Sequence, residues 1–77
     1  MRGREVIGSI IEERGISYAE LGRRLDVSRA AMWDRVNNPK AKDVYASVMA
    51  ETLEALGYKL VAVPKNTPLP EDAYTIT

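Results

Sequence analysis

The chain has 77 residues, with eleven basic and eleven acidic side chains, and it contains neither histidine nor cysteine. Without these two residue types, Ser-His-Asp and Cys-His catalysis, zinc fingers, haem ligation and iron–sulfur clusters lack their bases or ligands. Only carboxylate or hydroxyl chemistry is left. A length about half the usual ~150 residues per domain favours one small core.

The composition, 45% hydrophobic and 29% charged, is typical of a globular protein. No apolar run approaches the ~20 residues of a membrane span, and the first residues lack the apolar segment of a signal peptide. We therefore expect a cytoplasmic protein with no membrane partner.

Charge is unevenly distributed along the chain. Residues 1–42 contain nine basic and six acidic side chains, whereas residues 43–77 contain two and five. The net charge of zero argues against a polyanionic partner, but the basic first half does not. This uneven distribution of charge indicates either that the two halves face different partners or that the charged residues are distributed by chance.

Three short helices are predicted in the first half. Apolar residues at helical spacing predict a first helix over 4–14, which ends at Gly15. Ser17 and Glu20 have the spacing of a capping box and open a second helix over Tyr18–Leu25. After a three-residue break, Ser28 is a good N-cap for a third helix from Arg29 to about Asn37.

The second half predicts one longer helix and two strands. Asp43 is a plausible N-cap for a helix that continues to a stop at Gly57. Strand-forming residues at 58–63 end at Pro64, and residues 73–77 predict a second short strand. We expect a mainly α fold with a domain over 1–57 and a C-terminal β extension over 58–77.

The break between the second and third helices has the features of a tight turn. Gly22 would let the two helix backbones approach closely, and Asp26 tolerates the positive φ that the turn needs. Val27 would fill the turn from the core side. Met32 and Val36, four residues apart, give the third helix an inward face, so the opposite face is free to lie in a major groove.

Residues 16–32 resemble the phage-repressor helix-turn-helix family of the Cro and xenobiotic-response-element type, and the resemblance extends from about 5 to 56. The sequence departs from the family pattern at Gly22, where alanine is usual, and at Asp26, where glycine is usual. At Arg35 the family has an apolar residue, so either Val36 takes the core role or the third helix is rotated slightly. The resemblance implies a four-helix lambda-repressor-like domain that binds DNA as a transcriptional regulator, of repressor type.

The resemblance also implies DNA contacts at particular positions. Arg29 is expected to read guanine N7 and O6, Ser28 to contact a phosphate or a base, and Asn37 to contact a phosphate or an adenine edge. Lys40 and Lys42 are expected to add phosphate contacts. The full predicted DNA-binding set is Ser17, Tyr18, Ser28, Arg29, Ala30, Trp33, Asp34, Asn37 and Lys40. The alternatives are plain helix caps for the serines and solvated charges for Arg29 and Lys40.

Two residues on the side of the third helix opposite Met32 and Val36 have several alternative roles. Trp33 would press on thymine methyl groups, pack under the C-terminal segment or mark a protein-binding face. Asp34 repels phosphate unless it accepts a hydrogen bond from cytosine N4 or pairs with a neighbouring arginine.

The C-terminal extension is predicted to dimerise the protein. An exposed strand pairs readily across a two-fold axis, which would place two third helices about 34 Å apart on a palindromic operator. The alternative is a hairpin within one chain. The predicted interface residues are Tyr58, Leu60, Val61, Val63, Tyr74 and Ile76.

The rival function is a protein-interaction module of the same fold, such as an antitoxin, an anti-CRISPR protein or another small phage-encoded inhibitor, which can also repress its own promoter. An enzyme is not expected, because Glu12 and Glu13 are neighbours on a helix rather than converging carboxylates, and there is no Gly-rich phosphate loop. No cofactor or metal is expected.

Overall fold

The computed structural model describes residues 1–38, 40 and 43–76, and these residues form four helices. The helices are α1 (Gly3–Arg14), α2 (Tyr18–Leu25), α3 (Arg29–Asn37) and α4 (Ala46–Ala55). A mainly α fold is therefore confirmed. The described part of the chain contains no helix with the length and apolar character needed to cross a membrane. The core consists of buried apolar side chains from all four helices and the residue after α4: Val6, Ile7, Ile10, Ile11, Leu21, Met32, Met49, Leu53 and Leu56.

Three of the four helices end in the same way. A residue in the left-handed conformation follows each helix: Gly15 with φ 64°, Asp26 with φ 57° and Gly57 with φ 83°. The N–H of the next residue then donates to the carbonyl five positions back, which is the Schellman pattern. The bonds are Ile16 to Ile11 at 3.1 Å, Val27 to Gly22 at 2.7 Å and Tyr58 to Leu53 at 2.8 Å. The positive φ predicted for Asp26 is confirmed.

Serine hydroxyls cap the two middle helices as predicted. Ser17 Oγ accepts the N–H of Glu20 at 3.0 Å, and Ser28 Oγ accepts the N–H of Ala31 at 3.1 Å. The second half of the predicted capping box is wrong. The Glu20 carboxylate turns along α2 to bond Arg23 and Arg24, because opposite charges three and four positions apart lie on one helix face.

Asp43 caps α1 rather than α4, so its predicted role is wrong. Its carboxylate accepts the N–H groups of Gly3 at 2.9 Å and Arg4 at 3.0 Å, which would otherwise lack partners at the start of α1. The N–H of Arg4 is the main reason that the pKa of Asp43 lies below its usual value of 3.8. α4 begins two residues later than predicted, because its N-cap is Tyr45.

Close contacts between helices depend on two glycines. A Cβ added at Gly22 would lie 2.3 Å from the carbonyl oxygen of Val27, so α2 and the turn after it touch backbone to backbone. A Cβ at Gly8 would lie 3.3 Å from Val36 Cγ1. Val36 is half-buried against the core, whereas Arg35 is exposed. Val36 is therefore the residue that packs inward at this point of α3, in agreement with the first of the two alternatives given for Arg35.

The predicted strands over 58–63 and 73–77 are not found among the described residues. Residues 58–76, here called the arm, turn at residues 64–67 and 70–73, where Thr67 and Ala73 donate to the carbonyls of Pro64 and Pro70. Prolines remove the N–H groups that a strand ladder needs, which favours turns over a hairpin. Thr77 lies outside the described residues.

Aromatic side chains attach the arm to α1. The Tyr74 hydroxyl donates to Glu13 at 2.5 Å, and its ring centroid lies 6.2 Å from that of Tyr58. The guanidinium of Arg14 lies 5.0 Å from the centroid of the Tyr58 ring, within the range of a cation–π contact. The arm is thereby held against the helices by contacts within one chain.

Candidate nucleic-acid interface

The outer face of α3 is open to solvent. A tight three-residue turn joins α3 to α2, and the inward residues Met32 and Val36 fix which side of α3 packs on the core. The side chain of Trp33 is 48% exposed, although it is one of the largest apolar groups in the chain. Five residues of the predicted DNA-binding set lie within α3 and form this outer face, and all five are exposed: Arg29, Ala30, Trp33, Asp34 and Asn37.

The two serines of the predicted site lie at the N-termini of α2 and α3. Both are exposed, and both hydroxyl oxygens accept the backbone N–H bonds described above. Each hydroxyl still carries a hydrogen that it can donate to an acceptor such as a phosphate oxygen. Capping and a phosphate contact are therefore compatible at Ser17 and Ser28.

Tyr18 and Asn37 join the start of α2 to the end of α3. The Asn37 side-chain amide donates to the Tyr18 hydroxyl at 3.0 Å and to the Trp33 carbonyl at 3.1 Å. The amide has two hydrogens, so both are used within the protein. Its oxygen remains an acceptor, which suits a base amino group better than a phosphate.

Asn38, which the sequence reasoning missed, bonds three parts of the structure. Its side-chain amide donates to Asp34 Oδ1 at 3.1 Å, and its side-chain oxygen accepts the Lys40 N–H at 2.9 Å. Its backbone carbonyl accepts the Arg4 guanidinium at 2.6 Å. The available signal was an asparagine before proline at a helix end, where the backbone is extended and the side chain can bond on both sides.

Charges on this side of the molecule are of both signs. Arg29 is exposed, and within the described residues no hydrogen bond or ion pair involves its side chain. Lys40 is also exposed. Asp34 supplies a negative charge on the same face. The α2 cations Arg23 and Arg24 are paired with Glu20, and Arg24 also donates to the Ala55 carbonyl at the end of α4 at 2.9 Å. Lys42 lies outside the described residues.

The predicted dimerisation residues divide into two groups. Tyr58 and Tyr74 are half-buried and take part in the contacts that attach the arm. The aliphatic members are between 39% and 61% exposed, and together with Leu69 they line a groove of about 330 Å³ between the arm and the helices. They are Leu60, Val61, Val63 and Ile76.

The floor of this groove is formed by α1 and α4, through Val6, Ile10, Met49 and Leu53. The described contacts of the arm thus run to α1 and α4, and Trp33 on α3 stays half-exposed. Packing of Trp33 under the C-terminal segment is therefore not supported.

No protein-family model, curated protein or solved structure matches this chain. Within the described residues, no group of three or more acidic side chains is placed to hold a metal ion.

Proposed function

We propose that this protein is a sequence-specific DNA-binding transcriptional regulator, of repressor type, that places α3 in the major groove. The single observation that carries the proposal is the open outer face of α3. That face presents the half-exposed Trp33 and Arg29, whose side chain has no hydrogen bond or ion pair within the described part of the chain, next to the serine-capped N-terminus of the helix. The four helices would then form a lambda-repressor-like domain.

The dimensions of α3 suit this role. An α-helix with its side chains is about 10–12 Å in diameter and the major groove is about 12 Å wide, so α3 can lie in the groove over the roughly 13 Å length of its nine residues. The backbone contact at Gly22 and the left-handed Asp26 hold α3 close to α2, so that the end of α3 projects beside the capped start of α2. The Asn37 amide bonds the Tyr18 hydroxyl, so it is the C-terminal end of α3 that lies beside the start of α2. The start of α2 would then meet a phosphate while α3 lies in the groove.

Each exposed side chain has a role that its chemistry permits. Arg29 would donate to guanine O6 and N7, and Trp33 would contact a thymine methyl group. The hydroxyl hydrogens of Ser17, Tyr18 and Ser28 would go to phosphates. Ala30 leaves room for close approach, and Lys40 adds a cation at the edge of the face.

The mixed charge of the face implies weak non-specific binding. Among the described residues, the proposed face itself carries only Arg29 and Lys40 as cations and also carries Asp34, and the second half of the chain is acidic. Because each neutralised phosphate adds to the salt dependence of binding, we expect a shallow salt slope and a large share of base readout in the affinity.

We also propose that the protein is a homodimer through the aliphatic side chains of the arm. Scattered apolar residues on a surface need no explanation, but here five of them, half-exposed, converge on one groove. A second copy would cover them and enlarge a thin core. The operator would then be an inverted repeat with half-sites about 34 Å apart.

Selection of DNA sites from a random pool by the purified protein tests the DNA proposal. We expect one enriched inverted repeat. Arg29→Ala should weaken binding to that site about 10- to 100-fold and relax the preference at one base pair, because a bidentate guanine contact is worth about 1–3 kcal/mol. Arg35→Ala is the matched control, since Arg35 lies on the same helix but off the proposed face.

Two results would count against this assignment. An equal loss on random DNA would make Arg29 a phosphate contact only. An Arg35→Ala variant as weak as Arg29→Ala would show that the outer face of α3 is not the interface.

Sedimentation of a Val61→Asp variant tests the dimer. Val61 is 61% exposed, so the substitution adds a charge to the groove without removing core packing. We expect a monomer, whereas Asn66→Asp, which adds the same charge to the arm outside the groove, should remain dimeric. A dimer of unchanged stability in Val61→Asp would exclude this interface.

A protein-interaction module is the second candidate function, and Trp33 favours it. Exposed tryptophans are enriched at the energetic centres of protein interfaces. If the selection enriches no DNA site, the outer face of α3 is better explained as a surface that binds another protein.

A further inference from the structure

We propose that Asp34 and Asn38 form a specificity pair, in which Asp34 selects a base with an amino group in the major groove and Asn38 is the positioning residue for its carboxylate. The inference rests on the proposed function, because it assigns one base position of the DNA site to the end of α3.

Asp34 is an unusual residue for a face that meets a polyanion. A carboxylate can only accept hydrogen bonds, and it is repelled by phosphate. In the major groove, cytosine N4 and adenine N6 are donors, whereas the edges of guanine and thymine offer acceptors. At close range a carboxylate therefore favours cytosine or adenine and disfavours guanine and thymine.

The carboxylate is held in one orientation by Asn38. The Asn38 amide donates to Asp34 Oδ1 at 3.1 Å, and within the described residues no hydrogen bond goes to Oδ2. None of the ion pairs described for the protein joins Asp34 to an arginine, so its charge is not cancelled. One oxygen is thus fixed and the other is left as an acceptor at the surface of α3.

Asn38 is itself anchored from two directions. The Lys40 N–H bonds its side-chain oxygen at 2.9 Å, which leaves the amide nitrogen facing Asp34. The Arg4 guanidinium bonds its carbonyl at 2.6 Å, and the N–H of Arg4 is in turn bonded to Asp43. The orientation of Asp34 is therefore tied to the start of α1 and does not depend on α3 alone.

Parallel selection of DNA sites by four proteins tests the pair. The wild type should require cytosine or adenine at one position of each half-site. Asp34→Ala should lose about 10- to 100-fold of that preference, the range expected for one base-specific contact. Asn38→Ala should weaken the preference at the same position and leave the others unchanged. Asp72→Asn is the matched control, with a charge removed from the arm.

A second variant guards against loss of folding in Asn38→Ala. Asn38→Asp keeps the size of the side chain and an acceptor for the Lys40 N–H, but it cannot donate to Asp34. It should lose the same base preference, and thermal unfolding of both variants reports whether they are folded at the temperature of the assay.

The possible failures are distinguishable. If Asp34→Ala binds all sequences more tightly by the same factor, Asp34 only repels phosphate and the specificity pair is wrong. If both Asn38 variants lose preference at every position, Asn38 is only structural. If the wild type selects no site, the proposed DNA-binding function is wrong.

Discussion

Replacement of Gly22 by alanine is the most direct test of the packing between α2 and the turn that follows it. The added Cβ would lie 2.3 Å from the Val27 carbonyl oxygen, about 1 Å inside ordinary contact. That neighbour is backbone, so it cannot turn aside as the end of a long side chain would. The turn must move away from α2.

The magnitude follows from three terms. Overpacking of this kind costs about 1–3 kcal/mol, and loss of the 2.7 Å bond from the Val27 N–H to the Gly22 carbonyl costs about 1 kcal/mol more. Alanine is better than glycine inside a helix by about 1 kcal/mol, which offsets part of this. The free energy of unfolding should fall by about 1–3 kcal/mol, which lowers Tm by roughly 5–20 °C in a domain of this size.

Gly8→Ala is the matched control, because Gly8 is also inside a helix but its added Cβ would lie 3.3 Å from the end of a side chain, Val36 Cγ1. The side chain can adjust by a few tenths of an ångström, and the gain in helix propensity then makes the change nearly neutral or stabilising. Urea unfolding followed by circular dichroism measures both variants. If Gly22→Ala is as stable as Gly8→Ala, the close backbone contact is not real.

Three further predictions concern single side chains. The lowered pKa of Asp43 means that its stabilising effect is complete above the usual value of 3.8 and is lost as the pH falls through its folded-state value. Urea unfolding should show Asp43→Ala less stable than the wild type by about 0.5–2 kcal/mol at neutral pH, and the difference should shrink in acid. A difference that does not change with pH would contradict this. Hydrogen bonding to Glu13 raises the pKa of Tyr74 to about 12, so the folded state is favoured below the usual value of 10.0 and loses this contribution as the pH rises towards 12. Titration of phenolate absorbance should show Tyr74 ionising at higher pH in the wild type than in Glu13→Gln, and identical titrations would contradict this. Asp26→Val should reduce the free energy of unfolding by about 1–2 kcal/mol and Asp26→Asn by much less, because a β-branched residue is strained at φ 57°; equal values for the two would refute the strain argument.

Local signals in the sequence were sufficient to predict that four helices form, but not where α4 begins. The bounds of α2 and α3 were obtained from serine caps, apolar spacing and Asp26, because each of these acts on residues three to five positions away. The predicted contact at Gly22 follows from the same local geometry, since a three-residue turn leaves little room between the helices it joins.

The features that the sequence did not predict depend on contacts between residues far apart in the chain. Asp43 looks like a cap for the helix that follows it, and nothing near it in sequence reveals that α1 supplies its donors instead. The β-formers at 58–63 satisfy every local rule for a strand, but a strand also needs a partner, and the prolines that follow turn the chain back towards α1. The bonds that fix Asn37 and Asn38 likewise depend on where α2 and Arg4 lie in space.

The capping of α1 by Asp43 has a consequence for the order of folding. Ser17 and Ser28 cap helices that begin within three residues of them, so those caps form as soon as the helices do. Asp43 is 40 positions from Gly3, and its bonds form only after the chain between them has closed, at an entropic cost that local caps avoid. Hydrogen exchange at the Gly3 and Arg4 amides should therefore report the docking of the loop before α4 onto α1, whereas exchange at Glu20 and Ala31 reports only the fraying of single helices.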